Sequence, residues 1–363
     1  MGSRSKTPSG TSSPTVARRR RQPETTAVFE SYWRFAAERQ AIFFRRLAGT
    51  TAPWTEDPVL REFKFTNAYR ASDRTSQFLI RQVIYEGDQA PREVFFRTLL
   101  FKLFNRVETW QAISVALESL SSRDFDVVSC MRVLDGIRAS GRPLYSAAYI
   151  MPPVRSSLSQ SKHVGHLELL RVMLDEALPE RIFDAKSLRG VYDRLLAYPS
   201  LGPFLAFQYA IDLNYGRGLS FDEDDFVVAG PGAAEGLDKC FTNRDDWSDE
   251  DLIAWTIDRQ EVEFASRGIA FRDLFGRRLK PIDAQNLYCE IGKYARVAHP
   301  GFTKPGGRSR IKQRFSPQVA VDSVWYPPKW GLDVAPRRAI TGRSAEVASG
   351  SSISPFTEPD RRS

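Results

Sequence analysis

Between residues 24 and 300 the apolar side chains return, stretch after stretch, at the spacing of an α-helix. That pattern argues against a half-buried sheet, whose strands need alternation with a period of two. "VFESYWRFAAERQAIFFRRLAG" sets Phe29, Trp33 and Ala37 at helical spacing and stops at Gly49. "FTNAYRASDRTSQFLIRQVIYEG" repeats the pattern up to Gly87. "APREVFFRTLLFKLFNRVETWQAISVALESL" places Pro91 at a first helical position, then Phe95/Leu99/Leu103 and Phe96/Leu100/Phe104 on adjoining stripes. Further helices are expected over 124–139, 161–177, 184–197, 203–215, 248–266 and 281–297. Strand-like alternation is short and rare, and no internal repeat is visible. The expected fold is all-α, one domain over 24–300, and a 42% hydrophobic chain can fill a core of that size.

The two ends read differently. Residues 1–23, rich in Ser, Thr, Pro and Arg, are expected to be a disordered basic arm. Residues 301–363 are expected to be a mostly disordered basic tail, in which "SVWYPPKWGL" is suited to dock locally on the core. The net charge is +8, yet each end alone carries +6, so the segment between them is near −4. Any affinity of the core for nucleic acid must then come from a local patch, because its average charge opposes it. Arg18 to Arg21 suit a nuclear-localisation or phosphate-binding arm, or equally a solvated charge run without a specific role. The arm favours the nucleus in a eukaryote, and the cytoplasm is expected otherwise. No apolar run approaches the roughly 20 residues that span a bilayer, and "MGSRSKTPSG" lacks a signal-peptide core. Cys130, Cys240 and Cys289 are scattered without metal spacing, which points to a reducing compartment and away from structural zinc. His163 and His166 lie three apart without a third ligand and read as surface or capping histidines.

Several nucleotide and hydrolase motifs are absent: there is no GxxxxGK[ST] loop, no GxGxxG after a strand and no GxSxG elbow. No cofactor motif is evident. Three other stretches carry the chemistry. In "DFVVAGPGAAEGLDKCF", glycines flank a proline between an apolar lead-in and an amphipathic lead-out. This is either an ordinary turn or a helix–hairpin–helix element whose amides grip a DNA phosphate, with glycine supplying positive φ and close approach. "LKPIDAQNLYCEIGKYARV" opens with Pro281-Ile282-Asp283. It resembles the Pro-Val-Asp segment that holds the catalytic aspartate of helix–hairpin–helix DNA glycosylases, although Pro-x-Asp also makes a plain helix cap. "FFRTLLFKLFNRVETW" ends in Asn105, Arg106, Glu108 and Thr109, either a polar tip facing DNA or an ordinary terminus of a core helix. The three features follow one another in the glycosylase order.

"FTNAYRASDRTSQFLIRQVIY", "LLFKLFNRVETW", "FVVAGPGAAEGLDKCF" and "DAQNLYCEIGKYARV" resemble, more specifically, the helical domain associated with 5-hydroxymethyluracil DNA kinases. That family is similar to the α-glutamyl/putrescinyl-thymine pyrophosphorylases, and both are regarded as relatives of DNA glycosylases. The resemblance covers about 29–300 and implies an all-α, glycosylase-like domain acting on an extruded 5-substituted uracil or thymine in double-stranded DNA. The chemistry implied is transfer onto an activated 5-hydroxymethyl group. Excision of a modified base, or DNA binding without catalysis, remain the alternatives. The kinase activity in the family name belongs to a separate P-loop domain, so phosphorylation is not expected of this chain and a separate kinase would be its partner. Carried over by position, Gly230, Pro231, Gly232 and Ala233 would hold DNA phosphate, and Asp283, with Glu290 and Lys293, would be catalytic. Gln285, Asn286, Asn105, Arg106, Asp73, Gln77 and Arg81 would meet the base. Asp73, Gln77 and Arg81, spaced by four, would share one helix face, or form only a solvated stripe, and Glu290/Lys293 would otherwise be an i,i+3 ion pair. Trp110, Tyr145, Tyr149 and Tyr288 are candidates for stacking. Ala233 and Ala234 stand where lyase-type glycosylases carry a lysine, and Lys239 reads as a helix-surface residue, which argues against Schiff-base chemistry.

Overall fold

The computed structural model describes residues 21–117, 119–155, 160–316 and 323–334. The expected arm over residues 1–20 and the tail residues 317–322 and 335–363 lie outside the described residues. The chain is all-α: fourteen α-helices and one pair of two-residue strands, Glu24–Thr25 with Phe241–Thr242, occupy the described residues.

The helices sort into two groups. The first contains α1 (Ala27–Leu47), α2 (Pro58–Glu62), α11 (Pro231–Cys240), α12 (Asp249–Asp258), α13 (Gln260–Ser266) and α14 (Pro281–Ala298). The second is α4 (Pro91–Phe104), α5 (Val107–Ala116), α6 (Val127–Ala139), α7 (Lys162–Asp175), α8 (Leu178–Phe183), α9 (Leu188–Leu196) and α10 (Pro203–Asn214). Between them runs the segment 63–85, which includes α3 (Arg74–Phe78). Starts and stops follow local chemistry. Thr26 caps α1 through the Val28 amide (3.1 Å) and donates to the Lys239 carbonyl (2.6 Å), tying the first helix to α11. Gly49, at φ 76°, lets the chain leave α1. Asp57, Asp126, Ser187 and Ser248 cap α2, α6, α9 and α12. In α4 every residue from Val94 to Phe104 is buried, Arg97 and Lys102 included, so the helix is enclosed on all sides.

The strongest helix pairing is α11 against α14, and glycine makes it so. A Cβ on Gly236 would lie 1.9 Å from the Tyr288 carbonyl oxygen, and one on Gly292 would lie 3.0 Å from the Gly236 Cα. The two backbones touch there. Lys239 crosses the same interface, buried, with Nζ donating to the Gly292 carbonyl (2.7 Å) and paired with Glu235 (3.0 Å). It is therefore not a surface lysine. His163 and His166 are also buried rather than on the surface: His166 bonds Tyr145 (3.0 Å) and the Pro152 carbonyl (2.8 Å), and His163 pairs with Asp135 (3.0 Å).

One expected helix is only partly present. The run up to Gly87 begins as an irregular loop, becomes α3 at Arg74, and loosens into a π-helical turn over Leu79–Ile84. Asn67 donates to the Ser72 carbonyl (2.8 Å) and Asp73 accepts from the Asn67 amide (2.8 Å), side-chain bonds to local backbone that compete with helix formation.

Candidate functional site

Where the two helix groups meet, ionisable side chains collect in the interior. Arg70, from the loop before α3, is 2% exposed, and Asp212 of α10 is 0% exposed. Their ion pair is 2.7 Å long, and Lys102 of α4 reaches the other Asp212 oxygen at 3.1 Å. Arg70 also donates to Gln208 (2.9 Å) and to the Tyr215 hydroxyl (3.1 Å), and Gln208 donates to Gln285 of α14 (3.1 Å). Lys102 donates to Asn105 (3.0 Å), which ends α4 at φ 49°. Burial alone would neutralise these groups, but mutual pairing decides their charge. Burial opposes the Arg70 charge, and Asp212, Tyr215 and Tyr149 more than offset it. Burial likewise penalises the Asp212 carboxylate, yet Arg70 and Lys102 hold it below the usual range. Lys102 is pulled down by burial to about 8.

Asp283 borders this cluster at the first turn of α14. Its two oxygens accept from the Arg70 amide (2.8 Å) and the Lys280 amide (3.1 Å), so it caps its helix and also pins the Arg70 loop. Burial pushes its carboxyl up to about 6, partly countered by Arg277 and the two amides. On the far side of the loop, Asp73 accepts from the Asn67 amide (2.8 Å), and burial raises it to about 7 despite that bond. Two carboxyls tuned near neutrality thus flank a paired cationic cluster, an arrangement suited to moving protons. Among the described residues no group of three or more His, Cys, Asp or Glu is placed to hold a metal.

The α14 residues expected beside Asp283 do come together, bound to the same loop. Asn286 donates to Thr66 (3.0 Å). Glu290 accepts from the Thr66 amide (3.0 Å) and pairs with Lys293 (2.7 Å), whose Nζ also reaches the Lys64 carbonyl (2.9 Å). Asp73, Gln77 and Arg81 do not share one face. Asp73 precedes α3, Gln77 bonds the Ala71 carbonyl (2.7 Å), and the π-turn carries Arg81 outward to an exposed contact with Ser323. Arg106 pairs with Glu108 (3.3 Å) at the partly exposed start of α5 and, among the described residues, makes no bond to the cluster.

The glycines flanking Pro231 serve packing, and neither has positive φ: Gly230 sits at −86°. A Cβ on Gly230 would lie 2.5 Å from the Phe204 ring, and one on Gly232 2.4 Å from the Cys289 sulfur. Gly230 precedes Pro231, the first residue of α11, and the first amide bonded back is that of Ala234, to the Gly230 carbonyl (3.0 Å). The amides of Gly232 and Ala233 thus lie at the helix start. Phe204 links this point to the cluster: it stacks on Tyr149 (5.9 Å, 9°), over whose ring Lys102 sits at 4.4 Å and Arg70 at 5.7 Å. Of the other aromatic candidates, Tyr288 is wholly buried against Tyr32, Trp110 packs on Phe101, and Tyr145 packs on Phe104 and His166.

Residues 323–334 lie over the cluster. Tyr326 bonds Ser72 (2.7 Å), the Trp325 amide bonds Gln77 (2.7 Å), and Trp330 packs on Tyr215 (5.6 Å) beneath Arg277 (3.8 Å). Lys329 closes the end of α10 by donating to the carbonyls of Asn214, Gly216 and Leu219. A groove of about 720 Å³ beside this segment is lined by Arg81, Arg272, Trp325 and Tyr326, but not by Asp283.

Arg70, Lys102, Gln208 and Asp212 were not among the residues expected from the sequence. A signal existed: Lys102 in "LLFKLF" and Asp212 in "YAIDLN" interrupt apolar helical runs, and such charges are almost never buried unless paired.

Residues 26–304 match the family described as the 5-hmdU DNA kinase, helical domain. The 5-hmdU DNA kinase of Bacillus phage SP10 is 27% identical over 299 residues, covering 76% of this chain and 46% of the phage protein. The chain therefore spans about half the length of the curated relative it matches. No solved structure matches. With the match extending over most of its length, this chain belongs to the 5-hmdU DNA kinase helical-domain family.

Proposed function

We propose that this chain receives an extruded 5-substituted uracil of double-stranded DNA at the junction of its two helix groups and acts on the 5-methylene group. The observation that carries this reading is the buried Asp283–Arg70–Asp212–Lys102 network in a chain of this family. Extrusion costs a few kcal/mol. In this reading α10, the 215–230 connection and α11 act as a glycosylase-like helix–hairpin–helix, and the amides at Gly232 and Ala233 offset that cost by holding phosphate. The substrate is a 5-phosphomethyluracil made by a separate kinase, and the co-substrate is an amine. The amine nitrogen bonds to the 5-methylene carbon, the carbon–oxygen bond to phosphate breaks, and Asp283 takes the proton the amine loses. Arg70 and Lys102 offset the charge on the departing phosphate, while Gln285 and Asn286 offer amides to the base edge. In this reading the chain would act like the α-glutamyl/putrescinyl-thymine pyrophosphorylases.

A non-catalytic DNA-binding module is the second reading, favoured by one observation: both Asp283 oxygens already accept backbone amides. The test incubates the protein with 5-hydroxymethyluracil and 5-phosphomethyluracil duplexes, with and without amines, followed by nucleoside mass spectrometry. An aminated nucleoside whose formation is abolished by Asp283→Asn, with DNA affinity retained, supports the transferase. Release of free base makes the chain a glycosylase. DNA binding without any turnover leaves the module.

A further inference from the structure

From Lys304 to Ser316 the sequence carries five Lys/Arg and no acid, and the structure ties its far end to the core by backbone pairing. Arg314 bridges Phe63 antiparallel, the Lys64 amide donates to the Gln313 carbonyl (3.0 Å), and the Phe315 amide donates to the Glu62 carbonyl (2.9 Å). Ile311 faces the core, 8% exposed. Arg308, Arg310 and Lys312 flank Ile311 in the residues that lead into this pairing. Arg314 is paired with Glu62, and outside this run Lys304 is paired with Asp238 (2.8 Å). Arg308, Arg310 and Lys312 are exposed and have no ion pair among the described residues. Nearby, Arg61 and Glu56 approach each other at 3.8 Å, and Lys64 is exposed. The stretch also adjoins the candidate site, because the Lys64 carbonyl, next to the bridged Phe63, receives Lys293, the partner of Glu290.

We propose that Arg308, Arg310 and Lys312 form a cationic strip that docks the phosphate backbone of the DNA beside the extruded base. The inference rests on the proposed DNA substrate. Charge complementarity commits it to nucleic-acid phosphate: three exposed cations without an ion pair among the described residues stand on a core whose mean charge is negative. Burial of Ile311 and the backbone pairing of Gln313 and Phe315 anchor this stretch to the core, which lowers the ordering cost of binding.

The test is fluorescence anisotropy of the full chain on modified and unmodified duplexes over a range of salt. The triple variant Arg308→Gln/Arg310→Gln/Lys312→Gln is expected to lower the slope of log affinity against log salt by about 2.7, at roughly 0.9 per phosphate contact. The loss should be equal on both duplexes, because phosphate contacts carry no base information. Thermal stability should be unchanged, and Arg308→Lys/Arg310→Lys should keep the slope. An unchanged slope and affinity in the triple variant overturns the strip while leaving the proposed function standing. Failure of the native chain to bind any duplex overturns both.

Discussion

The starts of α11 and α14 look alike in sequence and do different physical work. Each opens with proline at the first helical position, "GPGA" in one and "KPID" in the other, and the two helices pack side by side. At α11 the decisive atoms are missing ones: glycine lets the start sit against Phe204 and Cys289, and one turn on lets backbone touch backbone. At α14 the decisive atoms are the two Asp283 oxygens, which reach both their own helix and the Arg70 loop. A glycine pair between apolar neighbours can thus be a packing device even when it resembles a ligand grip. A cap residue that is fully buried and bonded across the chain is more than a cap.

Three measurements would sharpen or break that contrast. The largest effect is expected where the α14 side continues through Arg70 into the ion cluster. Asp212→Ala leaves Arg70 and Lys102 buried with no counter-charge and should cost about 3–5 kcal/mol in urea unfolding. A loss below 1 kcal/mol would mean that water or relaxation already screens the cluster, and the site would not be the dry interior inferred for it. On the α11 side, Gly236→Ala forces a methyl group into the Tyr288 carbonyl and should cost about 1–3 kcal/mol. Retained stability there would show that the helices separate easily and that the glycines are not steric. The smallest effect is electrostatic. Asp283 keeps its proton to about 6 in the folded chain but releases it near 3.8 when unfolded. Between those values the native state binds more protons, so this carboxyl makes stability fall as pH rises from about 4 to about 6. Asp283→Asn should flatten that portion of the stability–pH curve, measured by chemical denaturation at fixed salt. An unaltered slope would assign the titration elsewhere.

The helical period was legible because it is written in every turn: the helices expected over 124–139, 203–215 and 281–297 appear as α6, α10 and α14 within a few residues. The run 65–86 was misread as one helix, because Asn67, Arg70, Ser72 and Asp73 send their bonds to backbone and across the chain, and periodicity does not register that. Asp283, Asn286 and Glu290 could be chosen from the sequence because they lie on one segment. Arg70, Lys102 and Asp212 could not be grouped, since they come from three separate elements of the chain.

The sequence by itself determined the all-α class, the helix boundaries set by proline, glycine and capping side chains, and the family, because these depend on neighbours a few residues apart. Only the tertiary structure decided that Asp283 touches Arg70, that Lys239 is buried and that the "GPG" glycines face side chains. It also decided that Gln313 and Phe315 pair with the backbone of Lys64 and Glu62 beside the site. Those facts depend on which elements meet. Burial and the charge of a neighbour more than a hundred residues away set whether a carboxylate is a cap, a counter-ion or a base.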